Sequence, residues 1–234
     1  MSLIEIIVFL PLLAALAVGL GSPARVTALG TSVVVLLLTL FTAFRFQTDV
    51  EGAFQFESSR TLLETSGFPK LSLAFGLDGM SLVLLLLSAI VMVAAMMISP
   101  KESEIKGSAR LYFVSLLLIA GGAIGAFCST DLFFLYAFHE LALIPIYFIC
   151  AIWGGQDRIR TTLKFFIYTF IGSLFMLVAL LYVYLQTPGT HSFAWEELVR
   201  VQLDPSAAWW VLLGFFLAFA VKIPVFPFHT WQPD

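Results

Sequence analysis

Hydrophobic residues are grouped into seven long runs separated by short polar connections. Within most runs, Leu, Val, Ile and Phe occur on every face that a helix would present, as lipid-exposed helices require. About 20 apolar residues are enough to cross the hydrocarbon core of a bilayer as a helix. The pattern therefore predicts an all-α, polytopic transmembrane helix bundle of about seven helices. Its spans lie near residues 3–20, 26–44, 77–98, 111–128, 131–152, 161–185 and 207–228.

The composition excludes other protein classes. Of 234 residues, 60% are hydrophobic and 12% are charged, and the mean hydropathy is +1.00. Soluble domains are nearer 45–50% apolar and about 25% charged, and this chain in water would expose large apolar patches. None of the runs alternates as the strands of a membrane barrel do. The formal charge of −3 gives no reason to expect nucleic-acid binding.

Two connections are longer than the rest, at 45–76 and 186–206. Both are predicted to be loops, and neither is long enough for a soluble catalytic domain. We expect residues 1–110 to hold the first three helices with an external loop at 45–76. Residues 111–234 would hold the other four helices.

The distribution of Lys and Arg predicts the orientation of the chain. One side carries seven of these residues and the other carries four among many acids, and basic connections remain cytoplasmic. The N-terminus is therefore expected to face outward. The seven are Arg25, Lys101, Lys106, Arg110, Arg158, Arg160 and Lys164, and the four are Arg45, Arg60, Lys70 and Arg200.

Most remaining charges lie within one turn of a predicted helix end, as do Glu5, Asp78, Asp131 and Lys164. Asp78 and Asp131 stand where helices begin, so their carboxylates are expected to cap free backbone N–H groups. These positions explain the charges without a functional role.

Small residues within the runs predict packing contacts. Gly121, Gly122 and Gly125 occur close together in the fourth run and would allow a neighbouring helix to approach closely. Cys128 and Cys150 are too few for a metal tetrad and lie inside apolar runs, so they are expected to behave as small apolar residues.

Glu140 and Lys222 are the two charges that no helix end explains. Glu140 follows Asp131 by nine residues, which places it about 13–14 Å into the membrane. Lys222 follows Ala207 by fifteen residues, about 22 Å from the same face. A charge at such depth costs roughly 2.5–3.5 kcal/mol on insertion scales. An ion pair that only fixes packing is one interpretation, but such pairs stabilise weakly, so an ion pathway is favoured.

The pair also predicts how a proton would move, provided that the fifth and seventh helices are neighbours. While Glu140 is ionised, the neighbouring Lys222 keeps its proton; when that negative charge is drawn away, burial favours the neutral amine. Moving one proton against 100 mV requires about 2.3 kcal/mol, which such a switch can supply.

Four residues near Glu140 have expected roles in its surroundings. Pro145 removes a backbone donor and frees a carbonyl within the fifth helix. Tyr136 and Tyr147 share the face of the acid, where they either pack or carry water, and packing is favoured. His139 is expected to point about 100° away from Glu140, and a non-relay role facing another helix or an interface is favoured over a relay role.

The seventh helix is predicted to break after Lys222. Pro224, Pro227 and Pro233 prevent a continuous helix, and a broken segment at membrane depth is tolerated where it is buried or lines a wet cavity. Broken helices are typical of ion sites in transporters. His229 lies in this segment, and either a proton-carrying or a packing role remains open for it.

Three motifs in order resemble the NuoM-type antiporter-like subunits of respiratory complex I. Phe138-His-Glu-Leu-Ala-Leu-Ile-Pro-Ile-Tyr-Phe148 is similar to their fifth helix, and Trp153-Gly-Gly followed by Lys164-Phe-Phe-Ile-Tyr-Thr-Phe-Ile-Gly-Ser173 is similar to the next. Ala220-Val-Lys-Ile-Pro and Pro227-Phe-His-Thr-Trp-Gln-Pro-Asp234 resemble the broken seventh helix, and Phe75-Gly-Leu-Asp-Gly-Met-Ser81 resembles the start of the third.

The resemblance implies a subunit of a proton-translocating NADH:quinone oxidoreductase in the bacterial inner membrane. The family's essential Glu and Lys map onto Glu140 and Lys222. This chain would hold no cofactor or metal; NADH, FMN, iron–sulfur clusters and quinone would be bound in partner subunits. The implied partners are the L- and N-type antiporter-like chains, small membrane subunits of complex I and the lipid bilayer, with no nucleic acid.

The chain departs from the family in two residues and in length. The family usually has Trp or another bulky residue where His139 stands, and commonly Leu where Gln232 stands. It has about fourteen helices in two inverted five-helix repeats. This chain would hold a partial antiporter-like repeat, and we expect a fragment or truncated product. A multisubunit cation/proton antiporter, a membrane-bound hydrogenase and a non-conducting scaffold protein remain alternative assignments.

Overall fold

The computed structural model describes residues 1–47, 54–63, 71–189 and 191–232. Within them, nine helices accompany a two-stranded sheet. The elements are α1 (Leu3–Gly19), α2 (Ala24–Arg45), β1 (Gln55–Leu63), β2 (Leu71–Leu77), α3 (Gly79–Ile98), α4 (Ala109–Cys128), α5 (Leu132–Leu141), α6 (Leu143–Trp153), α7 (Arg158–Leu185), α8 (Trp195–Val199) and α9 (Pro205–Lys222).

The helices confirm the predicted transmembrane bundle. In the described part of the chain, six segments are long and apolar enough to cross a membrane: α2, α3, α4, the α5–α6 pair, α7 and α9. The apolar α1 is shorter, with 17 residues, and rises about 25 Å. Counting α1, the seven predicted runs correspond to seven apolar helical segments.

The fifth run is divided into two helices. It was predicted as one segment over 131–152, but α5 ends at Leu141 and α6 begins at Leu143. Pro145 explains the division, because it has no N–H to donate to the carbonyl of Leu141 four residues earlier. The acid predicted to act in the membrane, Glu140, therefore lies in the last turn of a short helix.

The connection at 45–76 is not simply the loop that was predicted. Its described residues include an antiparallel hairpin in which Ser58 pairs with Phe75 and Arg60 pairs with Leu73. In β2, Leu71, Leu73, Phe75 and Leu77 alternate with smaller or polar residues, which is the period of a strand with one buried face. Phe75 and Leu77 are fully buried.

Main-chain hydrogen bonds join the hairpin to two other connections. Thr130 donates to the carbonyl of Ala74 at 3.0 Å, Leu132 donates to that of Phe193 at 2.9 Å, and Trp195 donates to that of Thr130 at 2.9 Å. We call the hairpin with residues 129–131 and 193–195 the hairpin layer. The second predicted loop, 186–206, thus also contains ordered structure, including α8.

Asp78 and Asp131 cap helices, as predicted. Asp78 accepts a hydrogen bond from the backbone N–H of Ser81 at 2.7 Å, which lowers the pKa of this carboxyl. Asp131 accepts from Phe133 at 3.0 Å and Phe134 at 3.2 Å. Burial nevertheless raises the pKa of Asp131 to about 6. The cap at Asp131 fixes the start of α5.

The glycines of α4 form the predicted close contacts. Gly121 faces Leu12 of α1, and Gly125 faces the ring of Phe138 on α5. A Cβ atom at Gly122 would lie 2.9 Å from the carbonyl oxygen of Phe138, so a larger residue would push α5 away. Because α1 packs on α4, contacts cross residue 110, and the division of the chain at that residue stays a prediction.

Candidate functional site

Glu5 forms an ion pair that the sequence did not reveal. It lies in the first turn of α1, near a helix end as predicted, but its side chain is only 3% exposed. Arg60 of β1 binds both carboxylate oxygens, from Nε at 2.7 Å and Nη2 at 2.9 Å. Ser58 Oγ donates at 2.7 Å and the backbone of Ser2 at 3.0 Å. Four donors therefore satisfy this carboxylate and attach the hairpin to α1.

The carboxylate of Glu140 has fewer close polar partners than that of Glu5 among the described residues. Its side chain is 17% exposed, and its carboxylate oxygen Oε1 lies 3.0 Å from Nδ1 of the adjacent His139. The expectation that His139 points away from the acid is wrong. Cα–Cβ directions of successive helical residues differ by about 100°, but both side chains are long enough to bend toward each other.

Lys222 is the last residue of α9 and is partly buried. A helix C-terminus carries a partial negative charge, which favours an ammonium group there. The charge of Glu140 acts on Lys222, although no direct ion pair joins them among the described residues. The charge of the acid therefore reaches the base without a direct contact between the two side chains.

The sixth span brings these two groups together. Gly172 of α7 contacts Val221, and a Cβ atom at this glycine would lie 3.0 Å from the Cβ of Val221. On the other side, Tyr136 of α5 interacts with Ser173 of α7 and with the charge of Glu140. The approach of α5 to α9 therefore occurs across α7, at about the middle of its length.

The tyrosines on the face of the acid have different surroundings. Tyr136 lies near Glu140, four residues before it. Tyr147 packs against Phe166 of α7 with ring centroids 5.4 Å apart, in the packing role that was favoured for it. Aromatic contacts of this kind fix α6 against α7.

The predicted break after Lys222 is present, and the following segment folds back over the end of α9. Three donors satisfy carbonyls of its last turn, each at 2.8 Å: Ile223 N–H to Phe219, Val225 N–H to Ala220, and the indole N–H of Trp231 to Val221. Thr230 also donates to the hydroxyl of Tyr168 on α7 at 3.1 Å. The break is therefore built into the packing of α7 and α9.

His229 lies in this broken segment with its ring 5.5 Å from that of Phe226. Its Nδ1 atom is buried and has no hydrogen-bond partner among the described residues. Buried polar atoms are rarely left unpaired, so we expect this nitrogen to bind a partner such as water. The geometry is compatible with either role that the sequence left open.

Residues 129–234, which include Glu140, Lys222 and His229, match the family described as "NADH:quinone oxidoreductase/Mrp antiporter, TM". NADH-quinone oxidoreductase subunit M of Escherichia coli is 38% identical over 172 residues, covering 70% of this chain and 33% of the relative. Subunit M of Rickettsia typhi is 34% identical over 248 residues, covering 99% of this chain and 48% of the relative. The chain is a NuoM-type membrane sequence of the complex I family. It spans about half the length of the subunit M relatives.

Solved structures agree with this assignment of the NuoM-type chain. A chain of respiratory complex I from Thermus thermophilus superposes with a TM-score of 0.83 at 32% identity, covering 98% of this chain and 46% of that one. The archaeal membrane-bound sulfane sulfur reductase superposes with a TM-score of 0.79 at 18% identity, over 99% of this chain and 47% of that one. The second likeness establishes the fold alone.

Proposed function

We propose that this NuoM-type chain contributes a proton-translocating unit to the membrane arm of an NADH:quinone oxidoreductase. The observation that carries the proposal is the placement of Lys222 at the end of the apolar helix α9, which packs against α7, the helix that also contacts the Glu140-bearing α5. Translocation would be coupled to quinone reduction. NADH, FMN, iron–sulfur clusters and quinone would be bound by other subunits, and L- and N-type chains and small membrane subunits would be its neighbours.

In the proposed mechanism, Glu140 controls the proton on Lys222. The ionised carboxylate stabilises the ammonium form of Lys222 across the gap between them. When a neighbouring charge or proton neutralises Glu140, the partly buried ammonium loses that stabilisation and releases its proton. One proton moved against 100 mV requires about 2.3 kcal/mol, which the loss of one buried charge interaction can supply.

The broken segment would receive the released proton. Residues 223–232 begin directly after Lys222, and the unpaired Nδ1 of His229 is an acceptor within this segment. We propose that water links Lys222 Nζ to His229, which passes the proton onward. The lack of a hydrogen-bond partner for this buried nitrogen among the described residues supports this role better than packing, because a packed imidazole normally has its nitrogens hydrogen-bonded.

The proposal is tested with Glu140→Gln and Lys222→Met in the assembled complex. Proton uptake into membrane vesicles and electron transfer from NADH to quinone are measured together. We expect each variant to reduce translocation about tenfold or more, because a charge kept at such depth is functional. The controls Glu104→Gln and Lys101→Met, at exposed positions between α3 and α4, should leave translocation unchanged. Normal translocation in both site variants would leave only the scaffold role.

A second candidate function is supported by the breadth of the matching family. Its description includes Mrp antiporters, and the sulfane sulfur reductase shares the fold. In this alternative, the chain would serve in a cation/proton antiporter or a membrane-bound hydrogenase. Purification of the intact complex distinguishes the candidates: NADH-oxidising soluble partners support complex I, and sodium-dependent exchange without them supports an antiporter.

We also propose that the N-terminus and the hairpin layer face outward from the bacterial inner membrane. They lie at one end of the bundle, because Glu5 contacts Arg60. The basic connections meet at the other end, where Trp153 donates to the carbonyl of Lys106 at 2.8 Å. Charge bias favours the cytoplasm for that end.

Single cysteines test this orientation in a Cys150→Ser background. Ser59 is exposed on the hairpin and Ser103 is exposed between α3 and α4. With a membrane-impermeant maleimide on intact cells, Ser59→Cys should be labelled and Ser103→Cys only after lysis. The reverse labelling pattern would show that the chain has the opposite orientation in the membrane.

A further inference from the structure

The side chain of His139 contacts the carboxylate of Glu140, and the proposed relay assigns no role to this contact. Among the described residues, Nδ1 of His139 is the close polar partner of the Glu140 carboxylate, at 3.0 Å from Oε1. Both side chains are largely withdrawn from the surface, with 24% of His139 and 17% of Glu140 exposed. A hydrogen bond in such surroundings is stronger than one in water.

The other groups around Glu140 contact it less directly. Tyr136 on α5 and Lys222 on α9 interact with its charge, but neither forms a direct contact with the carboxylate among the described residues. Ser173 on α7 interacts with Tyr136, while its hydroxyl donates to the carbonyl of Phe170 at 2.8 Å. The imidazole of His139 is therefore the group in direct contact with the carboxylate in the described part of the chain.

We propose that His139 is a positioning residue of the acid site, whose Nδ1–H donates to the Glu140 carboxylate and holds it in its ionised, oriented form. This inference rests on the proposed function of Glu140. A proton on Nδ1 makes this hydrogen bond whether the imidazole is neutral or protonated. The carboxylate thus keeps one donor when the influence of Lys222 changes.

The position of His139 explains why this role falls to it. The division between α5 and α6 places Glu140 in the last turn of α5, where a carboxylate is close to the negative end of a helix. The imidazole of His139, in the same turn, supplies a donor that offsets this unfavourable position of the Glu140 carboxylate. It does so without a contact from another helix.

The test compares His139→Phe, which keeps a planar ring without Nδ1–H, with His139→Asn, whose amide keeps an N–H donor at a similar distance from the backbone. Both are studied in the assembled complex. The readout is the rate at which dicyclohexylcarbodiimide modifies Glu140, followed by mass spectrometry, with Glu140→Gln as the blank. This reagent attacks protonated carboxyl groups in apolar surroundings, so the rate reports the state of the acid itself.

We expect His139→Phe to accelerate modification about three- to tenfold, the effect of one lost hydrogen bond of ordinary net strength. His139→Asn should react within about twofold of the unaltered complex. Equal rates in the Phe variant and the unaltered complex would overturn the proposal, as would an Asn variant that reacts as fast as the Phe variant. If the Phe variant fails to assemble, His139→Leu is compared in the same way.

The labelling result is independent of proton translocation. Normal translocation by Glu140→Gln would overturn the proposed relay, yet the labelling rates would still show whether His139 holds the carboxylate. Conversely, unchanged labelling in His139→Phe with loss of translocation in Glu140→Gln would remove the role of His139 and leave the relay intact.

Discussion

Glu5 and Glu140 are both acids within apolar helices, yet the chain surrounds them in opposite ways. Glu5 is 3% exposed and receives four hydrogen bonds, two of them from Arg60. Glu140 is 17% exposed and has His139 as its close partner. It interacts with the charge of Lys222 without direct contact. Among the described residues, the carboxylate of Glu5 therefore has four hydrogen-bond donors, whereas that of Glu140 has one close polar partner.

The two acids also differ in the rigidity of their surroundings. Glu5 contacts the hairpin, whose strands and main-chain bonds to neighbouring connections form a continuous layer. Glu140 lies beside a helix division, and Lys222 lies beside a helix break. Under the proposed function, the acid that acts is the one with fewer partners and with irregular backbone beside it.

Arg60→Ala should have the largest effect on stability. It leaves the carboxylate of Glu5 buried with fewer donors, which costs about 2–4 kcal/mol after allowance for the exposure of Arg60. The detergent-extracted protein should unfold at a lower temperature and assemble in smaller amounts. Translocation for each assembled complex should stay normal, opposite to the pattern expected for Glu140→Gln.

Arg45→Ala serves as the control, because Arg45 is exposed at the end of α2 and should change stability by no more than about 0.5 kcal/mol. Equal unfolding temperatures for the Arg60 and Arg45 variants would show that Glu5 does not depend on its ion pair. The contrast between the two acids would then be lost.

Asp131→Asn should have a smaller, pH-dependent effect. Burial raises the pKa of Asp131 to about 6 from an unfolded value near 3.9. The contribution of this carboxyl to stability is therefore fully present below about pH 4 and is lost as pH rises through 6. Asn caps a helix equally well without ionising. Above pH 6 the variant should be more stable by about 1–2 kcal/mol, with little difference near pH 4.

Thermal unfolding at pH 4, 6 and 8 measures this difference. A variant that is less stable than the unaltered protein at pH 8 would mean that the ionised carboxylate stabilises α5. That result would make Asp131 resemble Glu5, with an environment that satisfies its charge.

Asp78→Ala should have the smallest effect and the opposite dependence on pH. The N–H of Ser81 lowers the pKa of Asp78, so its contribution is present above the unfolded value and is lost as pH falls through the folded value. Removing this exposed cap should cost about 0.5–1 kcal/mol at neutral pH. The difference in unfolding temperature should shrink below pH 4, and Ser103→Ala should show none at any pH. A difference that persists at low pH would contradict a role for the ionised cap.

Much of the fold follows from local pattern. The seven apolar segments, the caps at Asp78 and Asp131, and the end of α9 at Lys222 depend on hydropathy, on side chains beside their own helix, or on proline. The alternation of residues 71–77 also contained a signal for a strand, but the surrounding polar connection favoured a loop. The role of Arg60 had no such signal, because its partner lies 55 residues away.

At the candidate site, hydropathy singled out Glu140 and Lys222 because charge at membrane depth is costly. It did not predict the direction of His139, since side-chain rotamers allow neighbours on a helix to meet. It also did not predict that α7 would lie between the two helices that carry the pair.

The sequence by itself determined which segments are apolar enough to cross a membrane, where α3 and α5 begin, where α9 ends, and which ionisable residues lie within apolar segments. These properties follow from the solvation of individual residues and from the backbone chemistry of their near neighbours. Only the tertiary structure decided which acid has a full set of hydrogen-bond donors and which has few. Pairing depends on the distance between atoms of separate elements, and that distance is set by the packing of glycine-lined helices and by the hairpin layer.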